Sequence, residues 1–152
     1  MRIEDIHEAL PRARTCRYAS RALNTLRRLV IHHSGTRHGT PEDFARYHVY
    51  VHGWPGIGYH YVIARSGLVY KVNALSTISY HARGANLDGV GICLVGDFNQ
   101  DTPSAEQMAS LNHLLRVLRL HLPQCSVVLH REVPASRTSC PGVRFPAEEV
   151  SR

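Results

Sequence analysis

Two short apolar runs each end in histidine: Leu29-Val30-Ile31 runs into His32-His33-Ser34, and Val127-Val128-Leu129 into His130. Runs of this length read as buried strands, so each delivers an imidazole at its downstream end. Farther on, Thr138-Ser139-Cys140-Pro141-Gly142 puts a cysteine in a turn. Imidazole and thiolate are the donors zinc prefers, and three protein donors leave a fourth position for water, as in catalytic sites. A plainer reading competes, because the chain has 11 His and a single strand-end histidine is more often a surface or hydrogen-bonded residue.

Around these runs the spacing predicts an order of α, β, α, β-hairpin, β, α, β. Residues 3–10 space their apolar side chains like one face of a short helix before Pro11, and 11–28 form a basic connector. Thr40-Pro41-Glu42-Asp43 opens a helix, with Thr40 as cap, Pro41 in the first position and the acids at the positive end of the dipole. That helix is expected to carry Phe44, Tyr47, Val51 and Trp54 on one face until Gly53-Trp54-Pro55-Gly56 stops it. His48 and His52, four apart, lie on one face and read as surface residues, since the H-E-x-x-H pattern is absent.

Stretches 58–64 and 68–72 flank Arg65-Ser66-Gly67 as a hairpin. Residues 90–96 read as a central strand buried on both sides, within which Cys93 is a buried free thiol. Ser104 and Gln107 stand at capping-box spacing. The helix they open repeats Met108, Leu111, Leu115, Leu118 and Leu122 as core until Pro123 ends it. The expected fold is a single α/β domain with a mixed central β-sheet flanked by α-helices on both faces.

With 152 residues and 43% hydrophobic content, the chain suits one domain with a full core. No apolar stretch approaches the roughly 20 residues of a membrane span. The start, Met1-Arg2-Ile3-Glu4-Asp5, lacks the apolar segment of a signal peptide. The expectation is a protein made in the cytoplasm without a signal peptide. The formal charge of +6 favours an anionic partner. Arg12, Arg14, Arg17, Arg21, Arg27 and Arg28 crowd together without an intervening acid, as either a solvated flank or an anchor to an anionic envelope. Zinc-finger spacing, an RNP-type aromatic pattern and a P-loop are all absent, so no nucleic acid is expected. The four cysteines, Cys16, Cys93, Cys125 and Cys140, contain no C-x-x-C pair and do not form a disulfide framework.

Six stretches in order carry a resemblance: Val30-Ile31-His32-His33-Ser34, Phe44-Ala45-Arg46-Tyr47-His48, Gly58-Tyr59-His60-Tyr61-Val62-Ile63, His81-Ala82-Arg83-Gly84-Ala85-Asn86, Gly91-Ile92-Cys93-Leu94-Val95-Gly96-Asp97-Phe98, and His130-Arg131-Glu132 with Cys140-Pro141-Gly142. Over residues 29–145 the chain resembles the zinc-dependent N-acetylmuramoyl-L-alanine amidases of the type-2 amidase and peptidoglycan recognition protein family, which includes phage endolysin-like members. The resemblance implies that His32, His130 and Cys140 hold Zn2+, with His32 preferred over its neighbour His33, and that Tyr59 is the catalytic tyrosine. Thr138 falls where phage amidases often carry lysine and many recognition-protein amidases carry threonine, which implies a donor to the oxyanion. His81 and Asn86 are expected to contact substrate, and His60 to be structural or a support to the site.

By the same resemblance, a basic extension (1–28) packs on an amidase domain (29–152). The implied activity is hydrolysis of the amide between N-acetylmuramic acid and L-alanine in peptidoglycan by a monomeric lytic enzyme acting on the cell wall after release. Rival readings are a cytoplasmic amidase that recycles soluble muropeptides, and a peptidoglycan-binding module without activity; the filled cysteine position argues against the second. Nucleic-acid binding around a structural zinc would need a fourth ligand.

Overall fold

The computed structural model describes residues 1–152. Its centre is a pair of parallel strands, β2 (Arg28–His33) and β5 (Gly89–Leu94), with His32 opposite Cys93 in register. Around them a six-stranded sheet is ordered β1-β4-β3-β5-β2-β6. Here β1 is Ile3–Asp5, β3 Tyr61–Ile63, β4 Val69–Lys71 and β6 Ser126–Leu129. Only the β3–β4 hairpin is antiparallel, so the sheet is mixed, as expected.

Strand alternation sorts side chains onto two faces. Leu29, Ile31, Ile63, Val90, Ile92, Leu94, Val127 and Leu129 join the largest core cluster with Leu111, Leu114, Leu115 and Leu118 of the long helix α2 (Ala105–His121). The intervening residues form two smaller clusters on the other face, one around Val62, Cys93 and Ala45, the other around Val30, Ala82 and Val133. Ala45 belongs to α1 (Pro41–Arg46), so helices cover both faces. Both helices begin with reciprocal caps, Thr40 with Asp43 and Ser104 with Gln107, which satisfy backbone donors that a helix start leaves orphaned. No helix is long and apolar enough to cross a membrane.

Two expectations are corrected. The short helix expected over residues 3–10 is instead the edge strand β1, tied to β4 by parallel pairing and by Lys71 Nζ on Asp5 Oδ2 at 2.8 Å. A helix that short is marginal by itself, and the sheet edge supplies partners for its backbone. The second correction concerns the continuation of α1, which is a π turn over Tyr47–Val51. The wider turn rotates the buried face, so Tyr47 and Val51 lie 53% and 65% exposed while His48 and Val49 are buried.

The segment before β2 is held at several points. Tyr18 donates its hydroxyl to Gly56 O at 2.8 Å. Arg21 donates to the carbonyls of Leu75 and Asn86, and Arg28 pairs with Asp88.

Candidate functional site

His32 is the penultimate residue of β2 and points to the face away from α2; His130 opens a short 3-10 turn directly after the adjacent strand β6. Because β2 and β6 are parallel neighbours, their downstream ends deliver the two imidazoles side by side. The Nδ1 atoms stand 3.1 Å apart. Cys140, in the loop after His130, brings Sγ to 3.8 Å from His32 Nδ1. Arg131 ties that loop back, its backbone N–H donating to Cys140 O at 2.8 Å and its guanidinium to Gly142 O at 2.8 Å. The three donor atoms all lie within 4.8 Å of one another.

A tetrahedral ion at ordinary zinc bond lengths would hold two nitrogens about 3.3 Å apart, and a nitrogen and a sulfur about 3.6 Å apart. The His32–His130 and His32–Cys140 spacings are close to that donor set, and the third pair lies within 4.8 Å. Burial, followed by the neighbouring imidazoles, holds His32 well below the usual histidine range, so it offers a lone pair at neutral pH. Burial pushes the Cys140 thiol up to about 11, against the opposing pull of the His33 backbone N–H and Arg131. A bound cation reverses that preference, since a coordinating thiol loses its proton.

His33, the competitor to His32, is turned away. Its Nδ1 accepts the Phe98 N–H at 3.0 Å and its ring packs near Phe98.

Tyr59, just before β3, sets its ring 5.5 Å from that of His32. Burial, with Cys93 and Cys140 nearby, drives its phenol well above the usual range, so the hydroxyl keeps its proton and remains a donor. Thr138 is exposed, and its Oγ1 accepts the Cys140 N–H at 3.1 Å, leaving its own hydroxyl hydrogen to donate. A cleft of about 610 Å³ opens beside Tyr59, lined by Ser34, Thr36, His38, Phe44, Tyr47 and His48 among others.

His81 and Asn86, expected at the substrate, have their polar atoms turned into the fold. His81 is buried, with Nδ1 3.1 Å from His32 Nε2 and Nε2 3.2 Å from Gly89 O. The Asn86 side chain accepts the N–H groups of His81 and Ala82, bracing the loop. His48, expected on the surface, is buried; its Nδ1 accepts the Gly58 N–H at 2.9 Å and its ring lies 5.7 Å from Tyr59. Its pKa is lowered to about 4, by burial first and then by His52. His60 is fully buried, accepting the Gly91 N–H at 3.0 Å and donating to Thr77 O at 2.8 Å. All four cysteines are free.

Comparison with known proteins agrees with this geometry. The family model described as N-acetylmuramoyl-L-alanine amidase matches residues 22–143. Among curated proteins, the chain is 30% identical over 135 residues to an N-acetylmuramoyl-L-alanine amidase of Sus scrofa, covering 75% of this chain and 21% of that protein. It is 34% identical over 94 residues to the endolysin of Enterobacteria phage K11, covering 59% of this chain and 61% of that protein. The chain thus spans less than two thirds of the length of either relative. Among solved structures, the Ph2119 endolysin from Thermus scotoductus MAT2119 bacteriophage Ph2119 superposes with a TM-score of 0.84 at 31% identity, covering 93% of this chain and 92% of that one. With a family match over most of its length and its two histidine donors at the ends of adjacent strands, the chain belongs to the N-acetylmuramoyl-L-alanine amidase family.

Proposed function

We propose that this chain is a zinc-dependent N-acetylmuramoyl-L-alanine amidase that cleaves the bond between the lactyl group of N-acetylmuramic acid and the L-alanine of the peptidoglycan stem. The observation that carries the reading is the convergence of His32 Nδ1, His130 Nδ1 and Cys140 Sγ beside an open cleft. Zinc at such a site supplies Lewis acidity toward a carbonyl and lowers the pKa of water toward about 7.

The chain's own residues do the rest. Tyr59 orients the attacking water through its protonated hydroxyl. As the water oxygen adds to the lactyl carbonyl carbon, negative charge develops on the carbonyl oxygen and Thr138 donates to it. The C–N bond then breaks, the protons given up by the attacking water pass to the alanine nitrogen, which leaves as a free amine, and the lactyl group leaves as a carboxylate. The cleft lined by Phe44, Tyr47 and His48 holds the stem peptide.

A lytic role on the wall is favoured by the basic segment, and we take the protein to act as a monomer. We take residues 1–28 as an extension that packs on the amidase domain 29–152 by adding β1 to the edge of its sheet and Leu26 to its core. Arg21 and Arg28 are committed to internal partners, while Arg14 and Arg17 are exposed and free to meet an anionic envelope.

Incubating the protein with intact sacculi and with soluble muropeptides, with and without chelator, tests the reading. New N-terminal alanine that disappears with chelator and returns with zinc is the expected result. Reducing sugar in its place would make the protein a glycosidase, and co-sedimentation without release would make it a binding module. Activity confined to soluble fragments would replace the lytic role with recycling.

A further inference from the structure

A neutral imidazole carries its hydrogen on one nitrogen and its lone pair on the other, and only the bare nitrogen can bind a metal. His32 therefore has a right and a wrong tautomer for the proposed centre. A chain of contacts behind it makes the choice. Gly89 O lies 3.2 Å from His81 Nε2. A carbonyl only accepts, so that nitrogen carries the hydrogen and His81 Nδ1 is bare. His81 Nδ1 lies 3.1 Å from His32 Nε2, buried on both sides. The contact is a hydrogen bond only if His32 Nε2 is the donor. His32 Nδ1 is then left bare, facing His130 and Cys140.

β5 is shaped to admit the intermediary ring. A Cβ at Gly91 would sit 2.7 Å from His81 Cγ, and one at Gly89 would sit 3.1 Å from His81 Cε1 and 2.4 Å from Ala85 O. Gly89 and Gly91 point to the same side of the strand as Cys93, the register partner of His32. The two glycines leave room on that side for an imidazole to lie against the sheet. Asn86 fixes the other end by accepting the backbone N–H groups of His81 and Ala82 at 2.9 and 2.8 Å.

We propose that His81 is a positioning residue that sets the tautomer of His32, with the carbonyl of Gly89 as the fixed end of the relay and Gly89 and Gly91 as the seat of its ring. His81 touches neither metal nor substrate; it acts through His32. The inference rests on the metal reading above, and partners of this kind are worth about 10–100-fold in metal affinity.

The test measures zinc affinity by competition with a chromogenic chelator in the wild type, His81→Leu and His81→Gln. Leucine offers no acceptor to His32, whereas glutamine can accept from His32 with its carbonyl and donate to Gly89 with its amide. Affinity should fall about 10–100-fold in His81→Leu and recover most of that loss in His81→Gln. Equal affinity in wild type and His81→Leu would overturn the relay. A wild type that binds no zinc would overturn the metal reading instead. Nitrogen NMR of the metal-free wild type reads the tautomer directly and does not depend on whether the variants fold. Hydrogen on His32 Nε2 supports the relay, and hydrogen on Nδ1 overturns it.

Discussion

The backbone N–H of His33 points at the sulfur of Cys140, 3.4 Å away across 107 residues of chain. One strand end therefore serves the centre twice, with the side chain of His32 and the main chain of the next residue. Donors of this kind favour a thiolate over a thiol, so the backbone of β2 helps to hold the charge that a metal would require.

Removing the sulfur should uncouple metal from fold. Cys140→Ala is expected to lose stoichiometric zinc after dialysis, measured by elemental analysis, and with it at least about 1000-fold of amidase turnover. The far-ultraviolet circular dichroism should be unchanged, because Cys140 sits in a loop beside the sheet. Zinc retained at full stoichiometry would remove Cys140 from the ligand set.

The two hydroxyls should behave differently from the ligands. Thr138→Ala is expected to lower turnover about 100- to 1000-fold with zinc still bound, the usual effect of losing one oxyanion donor. Tyr59→Phe keeps the ring against His32 and should likewise spare the metal while slowing turnover. Unchanged rates in either variant would take that residue out of the mechanism.

Acid should weaken the fold before it charges the buried histidines. His48 and His60 have folded pKa values lowered to about 4 and about 3, chiefly by burial, against about 6.5 in an unfolded chain. The neutral forms are the folded ones, so stability is fully present above pH 6.5. As pH falls the unfolded chain takes up these protons first, and stability drops until the folded values are reached. Urea titrations at pH 7, 5.5 and 4.5 should show a loss that grows to about 5 kcal/mol at the lowest pH, roughly half from each histidine. His48→Gln should flatten its share of that slope, and a pH-independent midpoint would contradict the assignment.

A methyl group at Gly142 should disturb the cysteine loop from behind. Gly142 has φ of 110°, and a Cβ there would lie 2.3 Å from the backbone carbon of Phe98. Gly142→Ala is therefore expected to cost about 2–4 kcal/mol in denaturant unfolding and to weaken zinc binding, since Cys140 lies two residues away. A stability change within 0.5 kcal/mol would show that the loop yields freely.

The sheet, the hairpin, the α2 helix and the two strand-end histidines are legible because each follows from a local rule: an apolar run, a Gly-containing turn, a capping box, a strand end; Cys140 as their companion comes with the family resemblance, since it lies in a turn. What escaped depended on partners far away in sequence. Ile3–Asp5 has helical spacing, but a strand edge 66 residues later recruits it. His48 reads as a surface residue from its neighbours in sequence, whereas the π turn over Tyr47–Val51 aims it inward. His81 reads as a substrate contact from the family resemblance, and its burial against His32 depends on the Gly89 and Gly91 backbone. The glycines at 89 and 91, already visible in β5, were the available sign that a ring packs against that strand.

The sorting of side chains by the sheet also bears on how the molecule can be re-engineered. Packing with α2 fills one side, and the candidate chemistry occupies the other. Substitutions buried under α2, away from Phe98 where that core meets the Gly142 backbone, are therefore expected to raise heat tolerance without reaching the candidate ligands. Over that part of the core, durability and catalytic performance are expected to be separable design targets.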